Sequence, residues 1–316
     1  MQCYVSMVLC GSYFNHIVFI TQRIIFTKKL QPEFMINTIC VIGAGTMGSG
    51  IAQTAAQSGF YTLLFDINVE VLEKAKAAIE KSLQFLVDKE KISVEEKENT
   101  FERIRFVTDT NDCLADIIIE AIIEKVDAKV AIFNQLAEVN HSEVIFATNT
   151  SSLSVSEIQA RVQQPQRVVG MHFFNPAQVM KLVEVVKGNQ TLDAVAQTVY
   201  DLCLQMKKTP VMCKDAPGFI VNRVARHYYL EAMKLVENGI ATIENVDEIM
   251  EASGFKMGPF KLMDLIGNDI NLAVSQSLYD ACYQAERFKP SALQINKVEK
   301  GELGKKTGKG FYEYNG

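Results

Sequence analysis

The sequence predicts an α/β protein: a doubly wound, mostly parallel sheet followed by an all-helical carboxyl-terminal domain. Three observations predict it. An apolar run, Ile39 to Ile42, breaks into Gly43-Ala44-Gly45-Thr46-Met47-Gly48, after which Ile51, Ala52 and Ala55 recur at helical spacing. This is a strand, a glycine turn and a helix in that order. Strand-like and helix-like segments then alternate, among them Asp116-Ile-Ile-Ile-Glu120, which has no polar face, as a strand covered on both sides requires. Beyond Ala216 the strand pattern stops and only helical periodicity remains.

Each glycine of the turn has a physical task. Gly43 permits the tight turn, Gly45 lets the backbone approach a pyrophosphate, and Gly48 lets the helix pack closely on the strand. The helix start, at Thr46 and Met47, offers free N–H groups and a positive dipole end to phosphates. The next strand, Tyr61 to Phe65, ends at Asp66, at about the ~20-residue separation expected of a ribose-binding acid. A carboxylate there accepts hydrogen bonds from ribose hydroxyls and repels a 2′-phosphate, which favours NAD over NADP. The competing reading makes Asp66 a cap of the helix beginning near Asn68. The first half is thus read as a Rossmann-type dinucleotide-binding domain.

The chain has 316 residues, 48% apolar and 22% charged, with a net charge of -5. That size suits one large or two ordinary domains of a globular protein. The negative balance, and the lack of a basic stripe interleaved with aromatics, speak against a nucleic-acid partner. The seven cysteines are scattered and form no CxxC, which argues for a reducing cytoplasm, no structural zinc or other metal site, and no disulfide framework. In residues 1–34 the apolar stretches Val5 to Leu9 and Ile17 to Ile20 are interrupted by Asn15, His16, Gln22 and Arg23. No run of about 20 apolar residues exists, so no membrane span is expected. Residues 1–34 read as an extension upstream of a natural start at Met35.

Taken in order, Asp66 is followed by a long helix with Leu72, Ala75, Ala78, Ile79 and Leu83 on one face. Lys74, Lys76, Lys81, Lys89 and Lys91 lie on the other, a solvated face on spacing alone. Glu95 to Arg105 completes a helical hairpin, and Ile104 to Val107 is a short strand. Glu124 and Lys129 flank the start of a helix through Val130, Phe133 and Leu136. Glu143 to Ala147 is the next strand, and the turn Asn149-Thr-Ser151-Ser152-Leu153 occupies its carboxyl end, where ligands sit in such sheets. Arg167 to Asn175-Pro176 delivers His172 from an apolar strand, and Lys181-Leu-Val-Glu184 places a carboxylate inside the next one. That carboxylate is costly to bury without a partner. His172 is a candidate partner, since a carboxylate on one ring nitrogen strengthens the other as a base. The alternative is a core histidine satisfied by backbone. Leu192 to Met206 reads as a helix and Pro210 to Cys213 as a last strand. Pro217 is placed in the first turn of a helix opened by Phe219 to Arg223. The helices expected after it are Ile243 to Ala252, Leu262 to Ala285 and Ser291 to Glu299. The domains are drawn at 35–216 for the nucleotide and 217–316 for substrate and dimerisation.

From Met35 onward the chain resembles the L-3-hydroxyacyl-CoA dehydrogenases, most of all the short, single-function 3-hydroxybutyryl-CoA dehydrogenases. The stretches that carry the resemblance span both domains. They are Gly43 to Gly48, Glu120-Ala-Ile-Ile-Glu124, Asn149 to Leu153, Gly170 to Pro176, Met180 to Glu184, Lys214-Asp-Ala-Pro-Gly-Phe-Ile-Val-Asn222 and Leu262 to Gly267. The resemblance implies that His172 is the general base and Glu184 its orienting partner, with Ser151 and Asn222 on the reacting oxygens. It implies that Glu124, Lys129, Ser151, Asn175 and Lys306 contact the nicotinamide cofactor or the substrate, and that Ser82 and Lys89 contact coenzyme A. The implied reaction is reversible NAD-linked oxidation of a (3S)-3-hydroxyacyl-CoA to the 3-oxoacyl-CoA. Gln178 departs from the family's Asn-Pro-x-Pro turn. Two other readings fit the same scaffold: a dehydrogenase of free hydroxy or sugar acids, and a non-catalytic NADH-binding protein of the crystallin type.

Overall fold

A computed structural model describes residues 35–314. The expectations for residues 1–34 lie outside the described residues. The first half alternates β1 (Thr38–Ile42), α1 (Thr46–Gln57), β2 (Tyr61–Phe65), the hairpin of α2 (Val69–Asp88) and α3 (Val94–Glu102), β3 (Ile104–Val107) and β4 (Ile117–Glu120). It continues with α4 (Val126–Val139), β5 (Ile145–Thr148), α5 (Val155–Gln159), β6 (Val168–Phe173), β7 (Leu182–Lys187), α6 (Asp193–Gln205) and β8 (Thr209–Lys214). Five helices follow: α7 (Val221–Glu237), α8 (Ile243–Ala252), α9 (Pro259–Ile266), α10 (Asn268–Ala281) and α11 (Ala292–Glu299).

The strands form one sheet in the order β3-β2-β1-β4-β5-β6-β7-β8. Every pair is parallel except β6 and β7. The order reverses at β1, so the carboxyl ends of β1 and β4 form the switch point where ligands of such sheets bind. Successive side chains of a strand face opposite sides. Ile39 and Val41 accordingly join Ile51, Leu83 and Val199 in one core. Cys40 and Ile42 join Phe133, Phe146 and Val155 in a second core on the other face. Burial on both faces explains the unbroken apolar strands. A third core, with Tyr229, Met233, Phe260 and Met263, holds the carboxyl-terminal helices together. No helix among the described residues is long and apolar enough to cross a membrane.

Two expectations fail locally. Pro217 does not lie in the first helical turn, because Gly218 and Phe219 adopt φ of +69° and +48°. Those values belong to a left-handed turn, so α7 starts at Val221. The stretch from Leu262 to Ala285 is not one helix. Gly267, at φ +105°, ends α9 and starts α10, and α9 begins earlier, at Pro259. Elsewhere the observed bounds differ from the expected ones by up to three residues, the most at the end of α3, which stops at Glu102 rather than Arg105.

Candidate functional site

The glycine turn sits at the carboxyl end of β1. Gly43 has φ +98°, and a Cβ there would meet the Ala121 carbonyl oxygen at 2.8 Å. A Cβ on Gly48 would lie 1.7 Å from the Gly43 carbonyl oxygen, so the helix and the turn touch at that point. Gly45 differs: a Cβ there would meet nothing within 4 Å. Its free face opens beside the first turn of α1, where Thr46 and Met47 sit without a side-chain cap or an acidic residue. Unclaimed N–H groups, a positive dipole end and open space together fit a diphosphate. Ala44 is buried, and its N–H donates to Asp66 Oδ2 at 2.9 Å. Asp66 Oδ1 accepts from the Asn68 N–H at 3.0 Å. The cap of α2 is Asn68 itself, whose side chain accepts from the Glu70 N–H. Asp66 therefore braces the glycine turn.

Next to it, three charged groups cluster at the end of β4. Lys129, 1% exposed, donates to Glu120 Oε1 at 2.6 Å and lies 3.2 Å from Glu124 Oε2. Burial pushes the Glu120 carboxyl above its ordinary range, against Lys129, the Thr148 hydroxyl and the Ile122 N–H. For Glu124, burial also raises the carboxyl, but Lys129 and the hydrogen bonds from Thr150 and the Ser151 N–H outweigh it and hold the group low. Glu124 Oε1 accepts from the Thr150 hydroxyl at 2.6 Å and the Ser151 N–H at 3.0 Å. One ionised carboxylate thus shapes the turn that carries Ser151.

β6 and β7 are antiparallel neighbours, and their register sets His172 directly opposite Glu184. The ring nitrogen Nδ1 lies 2.8 Å from Glu184 Oε2. Glu184 Oε1 accepts the backbone N–H groups of Ile220 and Val221, both at 2.9 Å. Burial raises this carboxyl, but the hydrogen bonds from His172 and from the Val221 and Ile220 N–H groups overcome it, so Glu184 is held below its ordinary range. An ionised carboxylate only accepts. Nδ1 must then carry the proton, which makes Nε2 the basic nitrogen of the neutral ring. Nε2 has no partner among the described residues and is not one of the sealed-in polar atoms. The ring lies beside Phe174 and Phe219, whose centroids are 4.5 and 5.7 Å away.

The remaining candidates divide. Asn222, in the first turn of α7, donates to the Ser151 carbonyl oxygen at 3.4 Å, which joins the helical part to the turn after β5. Asn149 Oδ1 accepts from the Phe173 N–H at 2.8 Å and ties the same turn to the strand of His172. Asn175 is exposed just past β6. Lys306 is not brought to these groups by any hydrogen bond; its ammonium grips Asp269 at 2.6 and 2.7 Å. Ser82 is half-buried and Lys89 exposed on α2 and its end, with Lys89 Nζ 5.7 Å from the Phe85 ring centre. Sequence reasoning assigned no role to Glu120, Thr150, Asn149, Phe174 or Phe219. For Glu120 a signal existed: a carboxylate closing an apolar strand, the same cue that singled out Glu184.

Residues 38–216 match the model of the 3-hydroxyacyl-CoA dehydrogenase NAD binding domain, and residues 218–314 match the model of the 3-hydroxyacyl-CoA dehydrogenase C-terminal domain. The chain is 46% identical over 281 residues to the 3-hydroxyadipyl-CoA dehydrogenase of Escherichia coli K12, covering 88% of this chain but only 59% of that protein. It is 42% identical to the probable 3-hydroxybutyryl-CoA dehydrogenase of Bacillus subtilis, covering 88% of this chain and 98% of that one. The crystal structure of (S)-3-hydroxybutyryl-CoA dehydrogenase PaaH1 from Ralstonia eutropha superposes with a TM-score of 0.86 at 39% identity, over 89% of this chain and 100% of that one.

Proposed function

The chain belongs to the 3-hydroxyacyl-CoA dehydrogenase family, and from that premise we propose that it interconverts a (3S)-3-hydroxyacyl-CoA, of the 3-hydroxybutyryl class, and the 3-oxoacyl-CoA. The observation that carries the proposal is His172, held at Nδ1 by an ionised carboxylate with Nε2 free. Bound NAD supplies the hydride acceptor; Gly43 to Gly48 and Asp66 would hold it. His172 Nε2 takes the proton of the 3-hydroxyl group and returns it to the 3-oxo group in reverse. Glu184 fixes the tautomer and stabilises the imidazolium that forms. Ser151 and Asn222 hold the substrate oxygens, and Glu124 keeps the Ser151 turn in place. Fixed placement of the reacting groups supplies much of the rate.

His172→Gln is expected to abolish acetoacetyl-CoA reduction while NADH still binds. Near-normal turnover in that variant, or equal turnover of free acetoacetate by the parent, rejects the assignment. We further propose a homodimer through the carboxyl-terminal helices, supported by exposed apolar side chains there: Val224 at 68%, Ile249 at 64% and Ile270 at 51%. A monomer mass by light scattering would remove that part. A cytoplasmic setting is supported by the five free cysteines among the described residues.

A further inference from the structure

A cleft of about 530 Å³ lies at the carboxyl end of α1, among α3, the β6–β7 connection and the end of α6. Arg103, Lys181, Lys207 and Lys208 line it, with Glu96 the one carboxylate. That carboxylate already accepts the Ser93 N–H at 2.7 Å in a capping box. None of the four cations has a carboxylate at ion-pair distance among the described residues. The carboxyl ends of α1, α3 and α6 also reach the cleft, and each contributes about half a negative charge. Four cations against one carboxylate and three such ends leave the cleft positive.

Lys208 is the buried member, at 8% exposure. Its Nζ donates to the Ala177 and Met180 carbonyl oxygens at 2.6 and 2.9 Å. An ammonium has a third N–H to give. Burial holds its pKa below the ordinary lysine value, the mark of a charge taken from water without a counter-ion. Lys207 has φ +56° as the residue that ends α6, with the Lys208 N–H bonded to the Cys203 carbonyl oxygen at 2.9 Å. That is a helix stop which glycine takes freely and lysine does not. The cleft thus keeps a lysine where the backbone would favour glycine.

We propose that this cleft is a second anion site, for a phosphate-bearing ligand. α1 has 12 residues, so at 1.5 Å per residue its two ends are about 18 Å apart. The site is therefore separate from the glycine turn at the other end of that helix. Two sources share the chemistry: the phosphorylated adenosine end of coenzyme A, and a free phosphoanion that is not the substrate. Binding does not rest on the dehydrogenase reading; only the kinetic arm below does.

The test uses the full chain saturated with NADH, so that the glycine turn is occupied. Inorganic pyrophosphate and adenosine 3′,5′-bisphosphate are titrated calorimetrically at low salt. Saturable binding of either probe is expected. Lys207→Gly should weaken that binding on the order of tenfold or more while raising the melting temperature, because it removes a cation and relieves the backbone. Arg103→Gln with Lys181→Gln should weaken it comparably. If Lys207→Gly raises KM for acetoacetyl-CoA but not for acetoacetyl-pantetheine, the ligand is the coenzyme A end. If neither KM moves, it is a separate phosphoanion. No saturable binding by the parent, binding untouched by these variants, or an equal KM rise for both thioesters overturns the proposal.

Discussion

Replacing Glu184 by glutamine keeps the shape of the side chain and removes the charge that faces Nδ1. Glu184→Gln should lower kcat about 10²-fold or more, with a smaller change in NADH affinity, as stopped-flow kinetics would show. A pH dependence follows from the same group. Its carboxyl is held below the ordinary 4.5 in the folded protein, so the stability it adds is complete above that value and is lost as pH falls through the folded pKa. The gap in melting temperature between the parent and Glu184→Gln should therefore narrow below about pH 4.5. The pair was legible in the sequence because its two strands are neighbours and a buried carboxylate demands a partner. The contact of Ser151 with Asn222, 71 residues apart, was not legible from spacing, since only the packing of α7 on the sheet creates it. The bond of Lys306 to Asp269 was invisible for the same reason.

At the scale of elements, the glycine turn separates fold from function. Gly45→Ala meets open space and a φ of -67° that any residue adopts. It should leave the melting temperature within about 1 °C of the parent, yet weaken NADH on the order of tenfold by occupying the pyrophosphate's place. Gly48→Ala drives a methyl group into the Gly43 carbonyl and should cost about 1–3 kcal/mol by urea titration. Strand–turn–helix order was readable here because the hydrophobic period changes across the turn. The break at Gly267 was not, because the apolar spacing runs on through it and only the left-handed backbone shows the stop. The start of α7 was misplaced for a like cause: the loop before it is held by Glu184, a residue of another element.

At the scale of the molecule, a ligand that binds only the folded state stabilises by mass action. NADH at one hundred times its Kd should add about 2.7 kcal/mol, a rise of about 5–10 °C in melting temperature. Gly45→Ala should lose most of that rise at the same NADH concentration, which a thermal-shift series would show. The sheet order needed the alternation of strands and helices, which the sequence displays; the reversal at β6 and β7 needed the short connection between them. Glu184 has one further consequence. A single side chain clasps the imidazole with one oxygen and the first turn of α7 with the other, so the lobe beyond residue 217 cannot tilt away without letting go of the ring. Seating of that lobe and readiness of the base are one variable, and a reporter placed on either reads both.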